Sequence, residues 1–330
     1  MSKIGIIGAG AWGTALAMVA VRAGNEVVIQ AHEKEVANAI NKTHENSVFL
    51  PSYELDPTIK ATTKLDEAID ADAVLLVAPA QHMRAVCEQA ADNWPDRVPA
   101  IICSKGIEQE SCALMSEVVG EMLPGKPIAV LSGPTFAAEV AGNLPTAVTL
   151  ACDDETMAKV LMETLSTQYF RIYRSRDVIG AQIGGAVKNV LAIACGIVEG
   201  RKLGDNSRAA LVTRGLSEIS RLGIAKGAKA ETLAGLSGLG DLTLTCNALQ
   251  SRNFSLGVAL GQGQSLENIM GERNSVAEGV FTASSVTELA RRVDVDLPIC
   301  SAVDGVLNHS ANIEATISSL LARPLKAETA

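Results

Sequence analysis

Aromatic side chains are scarce in this chain of 330 residues, at 3% of the total. A core must then be filled by Ala, Val, Ile and Leu, as in helix-rich proteins built on a sheet. A C-x-x-C pair is also missing. The cysteines at 87, 103, 112, 152, 195, 246 and 300 are odd in number, and they read as reduced thiols buried as small hydrophobes. There is no basic excess either. The net charge of −9 gives no electrostatic footprint for nucleic acid, so an anionic substrate has to be met by local basic groups. The histidines at 32, 44, 82 and 309 lack metal-ligand spacing, and no metal site is expected. Met1-Ser2-Lys3 runs directly into Ile4-Gly5-Ile6-Ile7, so a secretory signal is not expected and a cytoplasmic location is.

What is present is an apolar fraction of 48% and a charged fraction of 20%, the balance of a soluble globular protein. A single core stops growing near ~250–300 residues, so two domains are expected. Internal repeats, low-complexity linkers and long charge blocks are absent from the sequence.

The stretch 177–200, DVIGAQIGGAVKNVLAIACGIVEG, organises the rest. It is almost wholly apolar or small, yet Lys188 and Asn189 sit in its middle. Desolvating an ammonium costs several kcal/mol unless partners offset it. At helical spacing Gly184, Lys188, Leu191 and Cys195 share a face, and Gly184-Gly185-Ala186 admits a close backbone or ligand. A transmembrane helix is long enough here, but the central lysine alone would cost about 2.5–3.5 kcal/mol. The sequence also carries four glycines and Gln182 between 177 and 196, which argue further against insertion. A core lysine snorkelling outward and a catalytic lysine at a cleft remain as the two readings.

Along the chain, an apolar run at 3–7 precedes Gly8-Ala9-Gly10-Ala11-Trp12-Gly13 and a helix over 14–23. Strand, glycine turn and helix make a dinucleotide site: the first glycine turns, the second admits the pyrophosphate, the third lets helix and strand pack. The second strand, 26–30, ends in Gln30-Ala31-His32, where the carboxylate that binds ribose hydroxyls would stand. Glu33 could still serve. His32 with Lys34 could face a 2′-phosphate, so NADP is favoured and NAD remains allowed.

Residues 41–64 read as a long connection with little regular structure. Strands at 73–78, 99–103, 127–131, 146–151 and 169–173, with helices at 81–91, 111–121 and 153–165, imply a parallel sheet with right-handed crossovers. Ser104-Lys105-Gly106 and Ser132-Gly133-Pro134-Thr135-Phe136 follow strand ends, where such sheets bind ligands. After 200 the chain reads as helical, with segments near 207–222, 230–233, 276–291, 299–307 and 313–321. Asp241 follows a glycine-rich turn and reads as a site carboxylate or a helix N-cap, and Arg252 as a phosphate clamp or a surface ion pair.

Taken together, GAGAWG at 8–13, SKG at 104–106, SGPTFAAE at 132–139, GGAVKN at 184–189, GLGDLTLTC at 238–246, SRN at 251–253 and VAEG at 276–279 resemble the bacterial NAD(P)-dependent glycerol-3-phosphate dehydrogenases nearly end to end. The resemblance implies an α/β chain: a Rossmann-type, doubly wound N-terminal domain over 1–180 and an all-α substrate and catalytic domain over 181–330, usually in a homodimer. It implies reversible reduction of dihydroxyacetone phosphate to sn-glycerol 3-phosphate with NADP or NAD, in the supply of glycerophospholipid synthesis. By the same likeness Lys188 is the general acid/base and Asp241 its charged partner. Lys105, Gly133, Thr135, Asn189, Asp241, Thr245, Ser251, Arg252 and Asn253 take substrate positions. Gly8, Gly10, Ala11, Trp12, Gly13, His32, Lys105, Ala137, Arg252, Val276 and Glu278 take cofactor positions. Two departures stand out: Ala11 replaces a serine common in relatives, and position 32 varies among them. Other two-domain dehydrogenases, of the β-hydroxyacid or 6-phosphogluconate type, carry an asparagine four residues after the lysine, where this chain has Ala192. A dinucleotide sensor without catalysis is the alternative outside enzymes; both Lys188 and Asp241 are nevertheless in place.

Overall fold

The computed structural model describes residues 1–271, 277–325 and 327. Its strands are β1 (Lys3–Ile7), β2 (Glu26–Gln30), β3 (Glu45–Asn46), β4 (Leu50–Glu54), β5 (Lys60–Thr62), β6 (Ala73–Leu76), β7 (Ala100–Ile102), β8 (Ile128–Ser132), β9 (Thr146–Ala151) and β10 (Phe170–Ser175). Eight form one sheet in the order β10-β9-β8-β7-β6-β1-β2-β5, and β3 pairs with β4 in a separate antiparallel hairpin. From β1 the chain moves outward to β2 and β5, then returns to β6 on the other side. The carboxyl ends of β1 and β6 therefore flank the crevice where the winding reverses, the place such sheets bind ligands.

Two expectations are corrected. The sheet is not all parallel, because β9 runs antiparallel to β8 and β10 follows β9. Between β8 and β9 lies only the short helix Ala137–Ala141. At ~1.5 Å per residue it cannot carry the chain back along a strand rising ~3.3 Å per residue, so β9 starts where β8 ends. A full crossover helix, Glu155–Leu165, then makes β9 and β10 parallel. Residues 41–64 are also more ordered than expected. Helix Lys34–Thr43 ends at His44 in the left-handed region, and β3, β4 and β5 follow.

Every described element after 177 is helical. Helix Val178–Gly200 is buried from Gly180 to Val198 and opens on Asp177, whose carboxylate accepts the Gly180 N–H at 2.8 Å. It is long and apolar enough to cross a membrane, at 23 residues with an 18-residue window of mean hydropathy 1.5, but 89% of that window is buried by the fold itself. It serves as the hub of the second core. A Cβ on Gly184 would lie 2.4 Å from the Ser237 carbonyl, one on Gly196 2.1 Å from the Phe254 carbonyl, and one on Gly257 2.1 Å from the Ile193 carbonyl. Backbone therefore touches backbone at these crossings, with the segment Leu236–Gly240 and with helix Arg252–Gly261.

Candidate active site

The glycine turn after β1 has the shape of a dinucleotide cradle. Gly8 sits at φ 109, in the left-handed region, and its N–H donates to the Gln30 carbonyl at 3.0 Å, joining the ends of β1 and β2. A Cβ on Gly13 would fall 1.9 Å from the Gly8 carbonyl, so this glycine lets helix Ala11–Arg22 close on the turn. Around Gly10 a Cβ would meet nothing within 4 Å. The middle glycine faces open space. These are the three places where a pyrophosphate-binding turn requires a missing Cβ.

Trp12, Ala11 and Ala137 pack together on the same apolar core beside the cradle. Arg22 ties the two helices by donating to the carbonyls of Val140 at 3.0 Å and Ala141 at 2.6 Å. His32 is exposed two residues beyond β2, and Glu33 is the N-cap residue of the next helix. Val276 lies outside the described residues. Glu278, the first residue of helix Glu278–Arg292, is half-buried and accepts the Ala80 N–H at 3.2 Å. It thus meets the carboxyl edge of the sheet, just past β6. Burial pushes its carboxyl up to about 7, against the lowering effects of the Ala80 N–H and of Arg252.

Beside the segments that follow β7 and β8, Asp241 binds two lysines. Lys188 Nζ donates to Oδ1 at 2.5 Å and Lys105 Nζ to Oδ2 at 2.7 Å. Lys188 also donates to Thr245 Oγ1 at 2.8 Å, and Lys105 to the Gly133 carbonyl at 2.9 Å. Thr245 in turn donates to the Asp241 carbonyl at 2.6 Å, one helical turn back. Lys188 is 6% exposed and Asp241 0%. Asp241 is the first residue of helix Asp241–Thr245, and its carboxylate is committed to the two lysines. Burial lowers the Lys188 ammonium to about 8; Asp241 opposes the fall and the neighbouring charge of Lys105 adds to it. The local sum of two ammoniums and one carboxylate is positive, which is what an anion needs in a chain whose net charge is −9.

The glycines beside Lys188 explain how the groups converge. Gly184 admits the backbone of Ser237, which leads into Asp241, and a Cβ on Gly185 would lie 3.3 Å from Lys105 Cγ. Thr135 Oγ1 donates to the same Gly133 carbonyl at 3.2 Å. On the next residue of the hub helix, Asn189 Oδ1 accepts from Asn253 Nδ2 at 3.0 Å, and Asn253 Oδ1 accepts the Gly279 N–H at 3.0 Å. Asn253 thereby knots three helices. Ser251 caps helix Arg252–Gly261, its Oγ accepting the Phe254 N–H at 3.2 Å, and Arg252 stands exposed at the first helical position. The predicted substrate set thus falls into a lysine–aspartate cluster and an asparagine knot, adjacent through Lys188 and Asn189. Asn46 was not singled out from the sequence. Its Nδ2 donates to the Ala9 carbonyl and to Thr14 Oγ1, both at 2.8 Å, beneath the cradle. A lone asparagine in a stretch without hydrophobic periodicity carries no local sign of burial.

Residues 3–158 match the family model described as NAD-dependent glycerol-3-phosphate dehydrogenase N-terminus, and residues 177–318 match its C-terminus. A glycerol-3-phosphate dehydrogenase (NAD(P)+) of Rhodospirillum rubrum is 60% identical over 329 residues, covering 99% of this chain and 94% of that protein. One of Parvibaculum lavamentivorans is 56% identical over 327 residues, covering 99% and 98%. The crystal structure of glycerol-3-phosphate dehydrogenase from Coxiella burnetii superposes with a TM-score of 0.94 at 39% identity, covering 98% of this chain and 99% of that one.

Proposed function

The chain belongs to the NAD-dependent glycerol-3-phosphate dehydrogenase family, and from that premise we propose that it reduces dihydroxyacetone phosphate reversibly to sn-glycerol 3-phosphate with Lys188 as general acid/base. The observation that carries the reading is one buried carboxylate, Asp241, held between Lys188 of the hub helix and Lys105 just past the end of β7. A bound nicotinamide cofactor supplies the hydride.

The remaining tasks fall to the chain. Lys188, as an ammonium, donates a proton to the alkoxide that forms at C2 of the ketone. Burial makes that ammonium the stronger acid, at about 8. Asp241 keeps it charged and aimed, and Thr245 takes a second N–H, leaving the third for the substrate. In the reverse direction the same nitrogen, as an amine, removes the hydroxyl proton. Lys105 holds positive charge near the substrate while its bond to the Gly133 carbonyl ties the loop after β8. Gly133, Thr135, Asn189, Ser251, Arg252 and Asn253 complete the substrate set in this proposal, Arg252 as phosphate clamp through its planar fork. Gly8, Gly10, Ala11, Trp12, Gly13, His32, Lys105, Ala137, Arg252, Val276 and Glu278 hold the cofactor.

The division at 180/181 is part of the reading, supported by the last strand ending at Ser175 and the hub helix starting at Val178. So are a homodimer, a cytoplasmic location, the preference for NADP through His32, and supply of glycerol 3-phosphate to phospholipid synthesis. The test follows the loss of reduced-nicotinamide absorbance with dihydroxyacetone phosphate, using NADPH and NADH separately. Wild-type protein should turn over, and Lys188→Ala should lose turnover while binding NADPH almost as before. Equal loss of both would make the lysine structural.

A further inference from the structure

We propose that Asn46 is a positioning residue of the dinucleotide cradle, resting on the cofactor reading above. Asn46 lies in β3 and is 1% exposed, with most of its hydrogen-bonding capacity in use. Its amide donates to the Ala9 carbonyl at 2.8 Å and to Thr14 Oγ1 at 2.8 Å, and its Oδ1 accepts the Phe49 N–H at 3.2 Å. Ala9 and Thr14 bracket the glycine turn on both sides of Gly10. Phe49 belongs to the loop of the hairpin, so one side chain fastens hairpin, turn and helix start together.

The consequence follows from peptide planarity. The Ala9 carbonyl and the Gly10 N–H belong to one peptide unit and point in opposite directions. Holding the carbonyl toward the hairpin turns the N–H away from it, at a glycine whose Cβ would meet no atom within 4 Å. A dinucleotide cradle depends on such N–H groups being aimed before the anion arrives, because a loop that must be ordered on binding loses affinity. Gly10 has no side chain to hold its own plane, and Asn46 supplies the restraint from below. The hairpin is braced for this: Tyr53 in β4 packs beside Gly142, at the end of the helix that carries Ala137. The hairpin therefore touches both the glycine turn and the end of helix Ala137–Ala141.

The experiment is NADPH titration of the full chain, with melting temperature, kcat and both Michaelis constants measured on Asn46→Ala, Asn46→Asp and Thr14→Val. For Asn46→Ala the dissociation constant of NADPH should rise about tenfold, equal to about 1.4 kcal/mol. Asn46→Asp, which replaces both donors by an anion facing a carbonyl, should raise it further. At saturating NADPH the kcat, its pH profile and the Michaelis constant for dihydroxyacetone phosphate should stay at wild-type values. A lower melting temperature with unchanged NADPH affinity would make Asn46 a packing residue only and overturn the proposal. If the Asn46 variants do not fold, Thr14→Val decides, since it removes only the hydroxyl that orients the amide. A measurable rise in the NADPH dissociation constant upholds the proposal and an unchanged one overturns it. Failure of wild-type protein to bind NADPH would instead refute the cofactor reading itself.

Discussion

Replacing Asp241 by asparagine keeps the shape of the side chain and removes the charge between the two lysines. In the native site Lys188 sits at about 8 because burial lowers it and the carboxylate 2.5 Å away holds it up. An opposite charge at such range strengthens proton binding roughly ten- to a thousandfold, so Asp241→Asn should lower Lys188 from about 8 toward about 6. The nearby charge of Lys105 acts in the same direction once the carboxylate between them is gone. At pH 7 the protonated fraction of Lys188 then falls from roughly nine-tenths to roughly one-tenth, a tenfold loss of acid form. Ketone reduction needs the ammonium, so its rate should fall about tenfold at neutral pH from protonation alone, with the falling limb of the pH profile moved to lower pH. Alcohol oxidation needs the amine, and its rising limb should move the same way. The assay is kcat against pH in both directions at saturating cofactor, with circular dichroism to verify the fold. Opposite responses of the two directions at neutral pH are the signature of a shifted acid/base group. Parallel losses with unmoved limbs would show that Asp241 only holds the segment in place, and the assignment of Lys188 as proton donor would lose its support.

The cradle glycines separate fold from binding. Gly10→Ala should leave the melting temperature unchanged and weaken NADPH, because its Cβ meets no protein atom within 4 Å. Gly13→Ala should lower the melting temperature as well, by overpacking worth about 1–3 kcal/mol. For Glu278, held at about 7 against an ordinary 4.5, the folded state keeps a proton that the unfolded chain releases. The stability it lends is complete below 4.5 and disappears as pH rises through about 7, so Glu278→Gln should flatten the decline of melting temperature across that window. Glu218, 1% exposed, accepts the Ile299 and Cys300 N–H groups at 2.6 and 3.0 Å at the start of helix Pro298–Asn308. Urea unfolding of Glu218→Ala should show a loss of about 1–3 kcal/mol from the uncapped donors, and an unchanged midpoint would contradict that account.

The parts of this fold legible in the sequence are those whose signal is local. Glycines 8, 10 and 13 stand out because turn, anion approach and close packing each require a missing Cβ at one fixed place; in the structure Gly8 has a positive φ, a Cβ on Gly10 would meet nothing, and one on Gly13 would strike the Gly8 carbonyl. Lys188 stands out because a charge inside an apolar helix requires a partner, and Asp241 stands out at the head of its own helix. That the two meet could not be read from spacing, since 53 residues separate them and the meeting depends on Gly184 letting the Ser237 backbone approach. The antiparallel turn at β9 was hidden for a related reason: strand composition reports burial but carries no direction, which is set by how far the connecting segment can travel. Asn46 shows the same limit at the scale of one side chain. Its partners, Ala9 and Thr14, lie more than thirty residues away and one is a backbone carbonyl common to every residue type. A sequence displays which residues need partners most clearly when the need is a charge in an apolar run. It displays it least when the partner is backbone, and here that hidden class of contact holds the cradle's central peptide plane and brings the two halves of the lysine–aspartate pair together.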